Sequence, residues 1–399
     1  MLPDSDPHSM AFWSPDDVFS QRVKGSWNGK HVEQTVFLLG NPDVRTALLH
    51  VWGGCNLPTT REVYARQLNI DLSGVPDIAG QVDALVEVYK EVDENNKAFR
   101  DRTIQSLVDL AGDIFNFTKK AGGTAASSYY GALIKALADY NTAKKKSPPD
   151  TATMDKEKEA IVAFSQDLLK RTTGLLDNCQ SLQMAVDKFS SVTYDKWAAL
   201  NARLEDIRRR LDPLDVKHLG GVIKDLQKTS WDQRVEYTND VVSSGQSFLY
   251  ALCPLFGVLP ATPKSQYGPR ASGIANVIKQ IQAEFQSDDK KLNAGLVVGT
   301  DAQQITEYTD AAIVQIKATS DALKTLHAGW SRIKTNLQYL HDVAKEDKVP
   351  DVELDKDFIL QRIEAWNRFG GTVDAFRQSA YISEPEAMTV DKWAEKMSL

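Results

Sequence analysis

Apolar residues recur at every third or fourth position along one long stretch of the chain. The series is Ile161, Phe164, Leu168, Thr172, Leu175, Cys179, Leu182, Val186, Phe189, Thr193, Trp197, Leu200, Leu204, Ile207 and Leu211. Only the two threonines break its apolar character, and no proline interrupts it. This spacing keeps one face of an α-helix against partner helices throughout. At 1.5 Å per residue the helix is roughly 75 Å long, several times the globular mean. A helix of that length belongs to a coiled coil or an elongated bundle.

Three further stripes supply partners. Ile78, Val82, Leu85, Tyr89, Val92, Asn96, Phe99, Thr103, Leu107, Leu110, Ile114 and Phe117 step in the same way. So do Ile305, Tyr308, Ala312, Ile316, Thr319, Leu323, Leu326, Trp330, Ile333, Leu337, Leu340 and Ala344. A shorter stripe, Ile359, Ile363, Trp366, Phe369, Val373 and Phe376, follows a turn containing Pro350. Occasional steps of four and four, as in Phe164–Leu168–Thr172, break a strict heptad and favour bundle packing over a regular supercoil. The expected fold is all-α: an elongated bundle of long antiparallel helices.

Breakers divide the chain. Residues 1–75 hold Pro3, Pro7, Pro15, Pro42, Gly53, Gly54 and Pro58, and read as an N-terminal helical cap with short helices such as 43–51. Pro76 or Asp77 starts a helix that stops at Gly122 and Gly123. A shorter helix (125–145) precedes the turn Ser147-Pro-Pro-Asp150, and the long seam helix begins near Thr153. Asp212-Pro213 ends or kinks it. A helix over about 214–243 and another of about fifteen residues from Ile274 are expected next, with 293–299 interrupting the latter before the last long helix starts near Asp301. The resulting division is 1–75 cap, 76–211 with 301–382 tail bundle, 212–300 neck and head hairpin, and 383–399 C-terminal tail.

The neck surrounds an unusual stretch. Residues 241–263 carry no charge, and the run Phe248-Leu-Tyr-Ala-Leu-Cys-Pro-Leu-Phe-Gly-Val-Leu259 is apolar almost throughout. It stands between two helical arms of similar length, as the tip of a projecting hairpin would. Pro254 and Gly257 disfavour one spanning helix, and a short helical or β hairpin fits better. Two readings stand. The tip is tucked against the bundle, or it is a concealed membrane-contacting element, because an apolar patch at the end of a rod must fold back, oligomerise or meet lipid. On the second reading the contact residues are Phe248, Leu249, Tyr250, Leu252, Leu255, Phe256, Val258 and Leu259.

Composition narrows the function. With 399 residues, 42% hydrophobic and 25% charged, the chain is an ordinary folded protein. A net charge of −7 argues against binding nucleic acid or broad anionic membrane surfaces by bulk electrostatics. The basic runs at 144–146 and 208–210 read as solvated helix ends. The three cysteines, Cys55, Cys179 and Cys253, are far apart, and Cys179 falls on the seam as a small hydrophobe. No basic leader followed by an apolar core opens the sequence, so no signal peptide and no conventional secretion are expected.

Candidate chemistry is sparse. His8, His31, His50, His218, His327 and His341 show no metal-ligand spacing, and no phosphate loop, dinucleotide fingerprint, zincin or nucleophile-elbow motif occurs. Asn116-Phe-Thr118 is a formal glycosylation sequon lying on a helix stripe. No catalytic residue, metal or cofactor is expected, and the protein is not read as an enzyme.

Taken in order, a long helix, a tail turn, a longer helix, an apolar head, a returning helix and a final antiparallel helix resemble the α-helical pore-forming toxins of the cytolysin A, xenorhabdolysin and tripartite enterotoxin type. The segments Leu326-His-Ala-Gly-Trp330-Ser-Arg-Ile333 and Ile363-Glu-Ala-Trp366-Asn-Arg-Phe369 are similar to the Trp-bearing late helices of that group. The resemblance implies a soluble protein, released without a conventional signal peptide. Its expected partners are target membrane lipid and an oligomer, either of itself or with a second toxin component. The head here has two prolines and several serines and is less glycine-rich than a typical lytic head, which leaves open a component that is non-lytic alone. An elongated scaffold that binds other proteins through its bundle faces is the alternative from another class.

Overall fold

The computed structural model describes residues 15–27, 30–68, 70–73, 75–124, 126–211, 249–253, 257–261, 290–349, 356–380 and 386–387. In chain order its elements are α1 (Asp16–Phe19), β1 (Ser20–Trp27), β2 (Lys30–Phe37), α2 (Pro42–Gly54), α3 (Arg61–Leu68), α4 (Pro76–Phe99), a π-turn (Arg100–Ile104) and α5 (Gln105–Ala121). There follow α6 (Tyr129–Lys144), α7 (Thr151–Leu211), β3 (Leu249–Cys253), β4 (Gly257–Ala261), α8 (Lys290–Lys345), α9 (Lys356–Ser379) and β5 (Glu386–Ala387). The helices at 214–243 and from 274, and the breaks expected around them, lie outside the described residues.

The seam forms the spine of an elongated all-α bundle. From Ile161 to Ile207 every seam residue is buried except Phe164 and Trp197, which are half-buried. Burying so many large side chains on one face, each worth about 1.5–3 kcal/mol, is what holds a helix of 61 residues against its neighbours. Thr172 keeps its place there because its hydroxyl donates to the Leu168 carbonyl one turn back, at 2.8 Å, so no donor is left bare. Thr193 buries its hydroxyl without such a partner among the described residues.

Helix α8 runs antiparallel to α7. Lys158 pairs with Asp347 at 2.5 Å, and the Ser320 hydroxyl donates to Asp187 at 2.5 Å. All twelve positions of the first partner stripe, from Ile78 to Phe117, are buried. That stripe is carried by α4 and α5, joined through the π-turn, and it meets α7 through Phe99 stacked on Phe189 at 4.0 Å. Lys196–Glu91 at 2.6 Å and Asn178–Asp113 at 3.2 Å fix the antiparallel register along its length. Short helix α6 doubles back into α7 at a turn where Asp150 caps α7 by accepting from the Thr153 amide at 3.1 Å. The Lys146 ammonium and these Thr153 donors hold its carboxyl down to about 2.

One aromatic cluster ties five helices together. Trp330 of α8 lies 4.5 Å from Phe19 of α1 and 4.9 Å from Phe117 of α5. Trp366 of α9 stacks on Tyr130 of α6 at 5.5 Å and reaches Phe117 at 5.3 Å. Both tryptophans are fully buried. Gly329 permits the approach of α1, since a β-carbon there would stand 2.4 Å from the Phe19 ring.

Two expectations need correction. The N-terminal segment is not solely helical: β1 and β2 form an antiparallel ribbon, with Ser20 opposite Phe37 and Trp27 opposite Lys30. The helix does not break over 293–299; α8 continues from Lys290 through Gly295 and Gly299. A helical glycine costs up to about 1 kcal/mol, but Ala294, Val297 and Val298 beside them are buried, and that packing outweighs the cost.

Candidate membrane-contacting hairpin

Within the uncharged stretch, residues 249–253 and 257–261 are extended. β3 and β4 pair antiparallel, with Leu249 opposite Ala261, Tyr250 opposite Pro260, Ala251 opposite Leu259, Leu252 opposite Val258 and Cys253 opposite Gly257. Of the eight expected contact residues, the backbone brings together Leu249, Tyr250, Leu252, Val258 and Leu259. Phe248, Leu255 and Phe256 lie outside the described residues. Neither set of alternate positions in either strand carries a charge, so no register of the hairpin sets a charged residue on one face.

The chain's local chemistry agrees with this form. Pro260 has no N–H and would interrupt a central strand. It sits on β4, an edge of a sheet ordered β4-β3-β5. The opposite side of β3 is covered by β5, which pairs in parallel through Ala251–Glu386 and Leu252–Ala387. Sequence reasoning missed β5, since two residues in a Pro- and Glu-bearing tail give no strand signal.

The hairpin has a second neighbour in α2, against which β4 lies. Asn41 caps this helix by accepting from the Asp43 amide at 2.8 Å, and Pro42 occupies its first turn, the usual opening for a short helix. Its buried face, Val44, Ala47, Leu48, Leu49 and Val51, turns into the bundle. The Tyr308 hydroxyl of α8 donates to the Leu49 carbonyl at 3.2 Å, and Arg100 of the π-turn stands over Trp52 at 5.1 Å. The apolar hairpin is thus set beside a helix that is itself keyed to the spine.

Among the described residues no group of His, Cys, Asp and Glu could hold a metal ion. Burial pushes the Cys55 thiol up to about 11 and the Cys179 thiol up to about 12, which disfavours the reactive thiolate. Among the described residues no helix is long and apolar enough to cross a membrane.

No protein-family profile and no curated protein matches the sequence. The fold, by contrast, has clear counterparts. Soluble SmhB of the tripartite α-pore-forming toxin Smh from Serratia marcescens superposes with a TM-score of 0.54 at 10% identity, over 90% of this chain and 96% of that one. The cytotoxin MakB from Vibrio cholerae gives 0.53 at 11% identity, over 88% and 95%. Soluble AhlB of the tripartite toxin AHL from Aeromonas hydrophila gives 0.50 at 13% identity, over 90% and 99%. The chain therefore has the fold of the α-pore-forming toxins of tripartite type. At these identities the likeness resides in the fold, and it spans nearly the whole length of each protein.

Proposed function

We propose that this protein is a component of an α-pore-forming toxin, released as a soluble monomer, that meets a target membrane through residues 248–259 and assembles there with copies of itself or with a second component. In this reading 76–211 and 301–382 are the tail bundle, 212–300 the neck and head, and the protein acts by insertion and not by catalysis. The observation that carries it is the coincidence of two independent features. The fold matches toxin components over 90% of the chain, and residues 249–253 and 257–261 of the uncharged stretch pair as two antiparallel strands beside α2.

The energetics are adequate. Each Leu or Phe side chain moved from water into hydrocarbon contributes about 1.5–3 kcal/mol, so several together can drive insertion. A charged side chain held at mid-membrane opposes it by about 2.5 kcal/mol or more. Liposome flotation and dye release with the wild type, Leu252→Asp and Phe256→Asp test the reading. Wild-type binding that both variants lose, with circular dichroism and melting unchanged, is the expected result. A wild type that never binds lipid, with variants that unfold, would overturn it in favour of a structural hairpin on a protein scaffold. Binding without leakage, converted to leakage by a second protein, would identify a component that is non-lytic alone.

A further inference from the structure

Two buried aspartates stand out among the described residues, and they differ in kind. Asp93 is 5% exposed and pairs with Lys97 at 2.7 Å. Asp301, 6% exposed, has no cation acting on it among the described residues. It accepts a hydrogen bond from the Tyr89 hydroxyl of α4 at 2.7 Å. Beside it lies the fully buried Tyr64 of α3, whose ring is 6.2 Å from that of Tyr89.

The location matters as much as the chemistry. Asp301 is the twelfth residue of α8, near the start of that helix, where it meets α4 through Tyr89. Its neighbours Ala294, Val297, Val298 and Ala302 are buried and apolar. The titratable groups acting on it are Tyr89 from α4 and Tyr64 from α3; no charged residue described on α2, α4, α7 or α8 does so.

We propose that the Asp301–Tyr89–Tyr64 cluster is a pH-sensitive latch that fastens the start of α8 onto α3 and α4 in acid and slackens toward neutral pH. Burial disfavours the carboxylate, the two phenols favour it, and burial prevails, pushing the carboxyl up to about 6 from an ordinary 3.8. When the start of α8 lifts and Asp301 meets water, that shift is relieved. The proton is therefore bound more tightly in the packed state. The sign follows from linkage: the extra stability is complete below about 3.8, declines as pH rises, and is gone above about 6. Across that window the opening equilibrium rises about tenfold per pH unit, on the order of 100-fold in all. The latch itself does not depend on the toxin reading. Only its consequence does, namely that release of the start of α8 at neutral pH favours the rearrangement that presents the apolar stretch to a membrane.

Hydrogen exchange of the full-length protein, read over peptides within 294–312 and corrected for intrinsic rates between pH 4 and 7.5, tests the latch without any membrane. In the wild type, protection should fall on the order of 100-fold from pH 4 to 7. In Asp301→Asn, which carries a permanently neutral side chain, it should stay flat. Tyr89→Phe removes a donor that favours the charged form, so the midpoint should move to higher pH. A wild-type profile matching that of Asp301→Asn overturns the proposal. If Asp301→Asn fails to fold, Tyr89→Phe decides alone, and an unmoved midpoint overturns it. Flotation with zwitterionic vesicles at pH 5 and 7 then separates the two ideas: an intact latch with no lipid binding at either pH counts against the toxin reading and leaves the latch standing.

Discussion

Tyr308 on α8 closes on Gly53 of α2 with no room for a β-carbon, since one placed on Gly53 would stand 2.2 Å from the Tyr308 hydroxyl. The contact clamps α2 to the spine, and α2 in turn is the helix on which β4 rests. Gly53→Ala should force the two helices apart at an overpacking cost of about 1–3 kcal/mol. We expect a lower melting temperature and increased binding of a hydrophobic dye. An unchanged melting curve would show that α2 is not held this tightly.

The aromatic cluster gives a second expectation. Trp330 and Trp366 are both fully buried, and their rings lie 6.4 Å apart. Trp330→Ala or Trp366→Ala should cost about 3–5 kcal/mol in urea unfolding. The double variant should cost less than the sum of the two, because neighbours that share partners do not add. Strict additivity would mean that the two rings sit in independent environments.

Shape is measurable directly. Helices of 61 and 56 residues are roughly 90 Å and 84 Å long, whereas a compact chain of this size has a radius of gyration of about 21 Å. Small-angle scattering of the monomer should return a value well above that figure. A compact value would be incompatible with the antiparallel pairing of α7 and α8.

The long helices were legible because their pattern is redundant. Twelve successive stripe positions on α4 and α5 leave little freedom in which face is buried, and even the π-turn does not spoil the phase: Phe99, Thr103 and Leu107 are all buried across it. The N-terminal ribbon is signalled only by Asn28-Gly29 between two eight-residue segments, and the prolines and glycines around it give competing helix-boundary signals. Gly295 and Gly299 carry the propensity of a helix break, and the sequence does not display the packing of Ala294, Val297 and Val298 that overrides it. The apolar run marks the hairpin as a unit without fixing its form. A run that is apolar at nearly every position carries neither the period of a helix nor that of a strand. The latch was invisible for a different reason: Tyr64, Tyr89 and Asp301 are ordinary residues far apart in sequence, and only the bundle brings them together.

Pro260 makes the small sheet one-sided. A strand arriving outside β4 would find a residue with no amide hydrogen to offer, so that flank is a poor template for further pairing. The flank of β3 has no such defect, and there Glu386 and Ala387 already occupy the ladder. Zipping one hairpin to that of a neighbouring molecule through β3 would therefore begin with a competition, in which an incoming strand must displace β5 before it can extend the sheet.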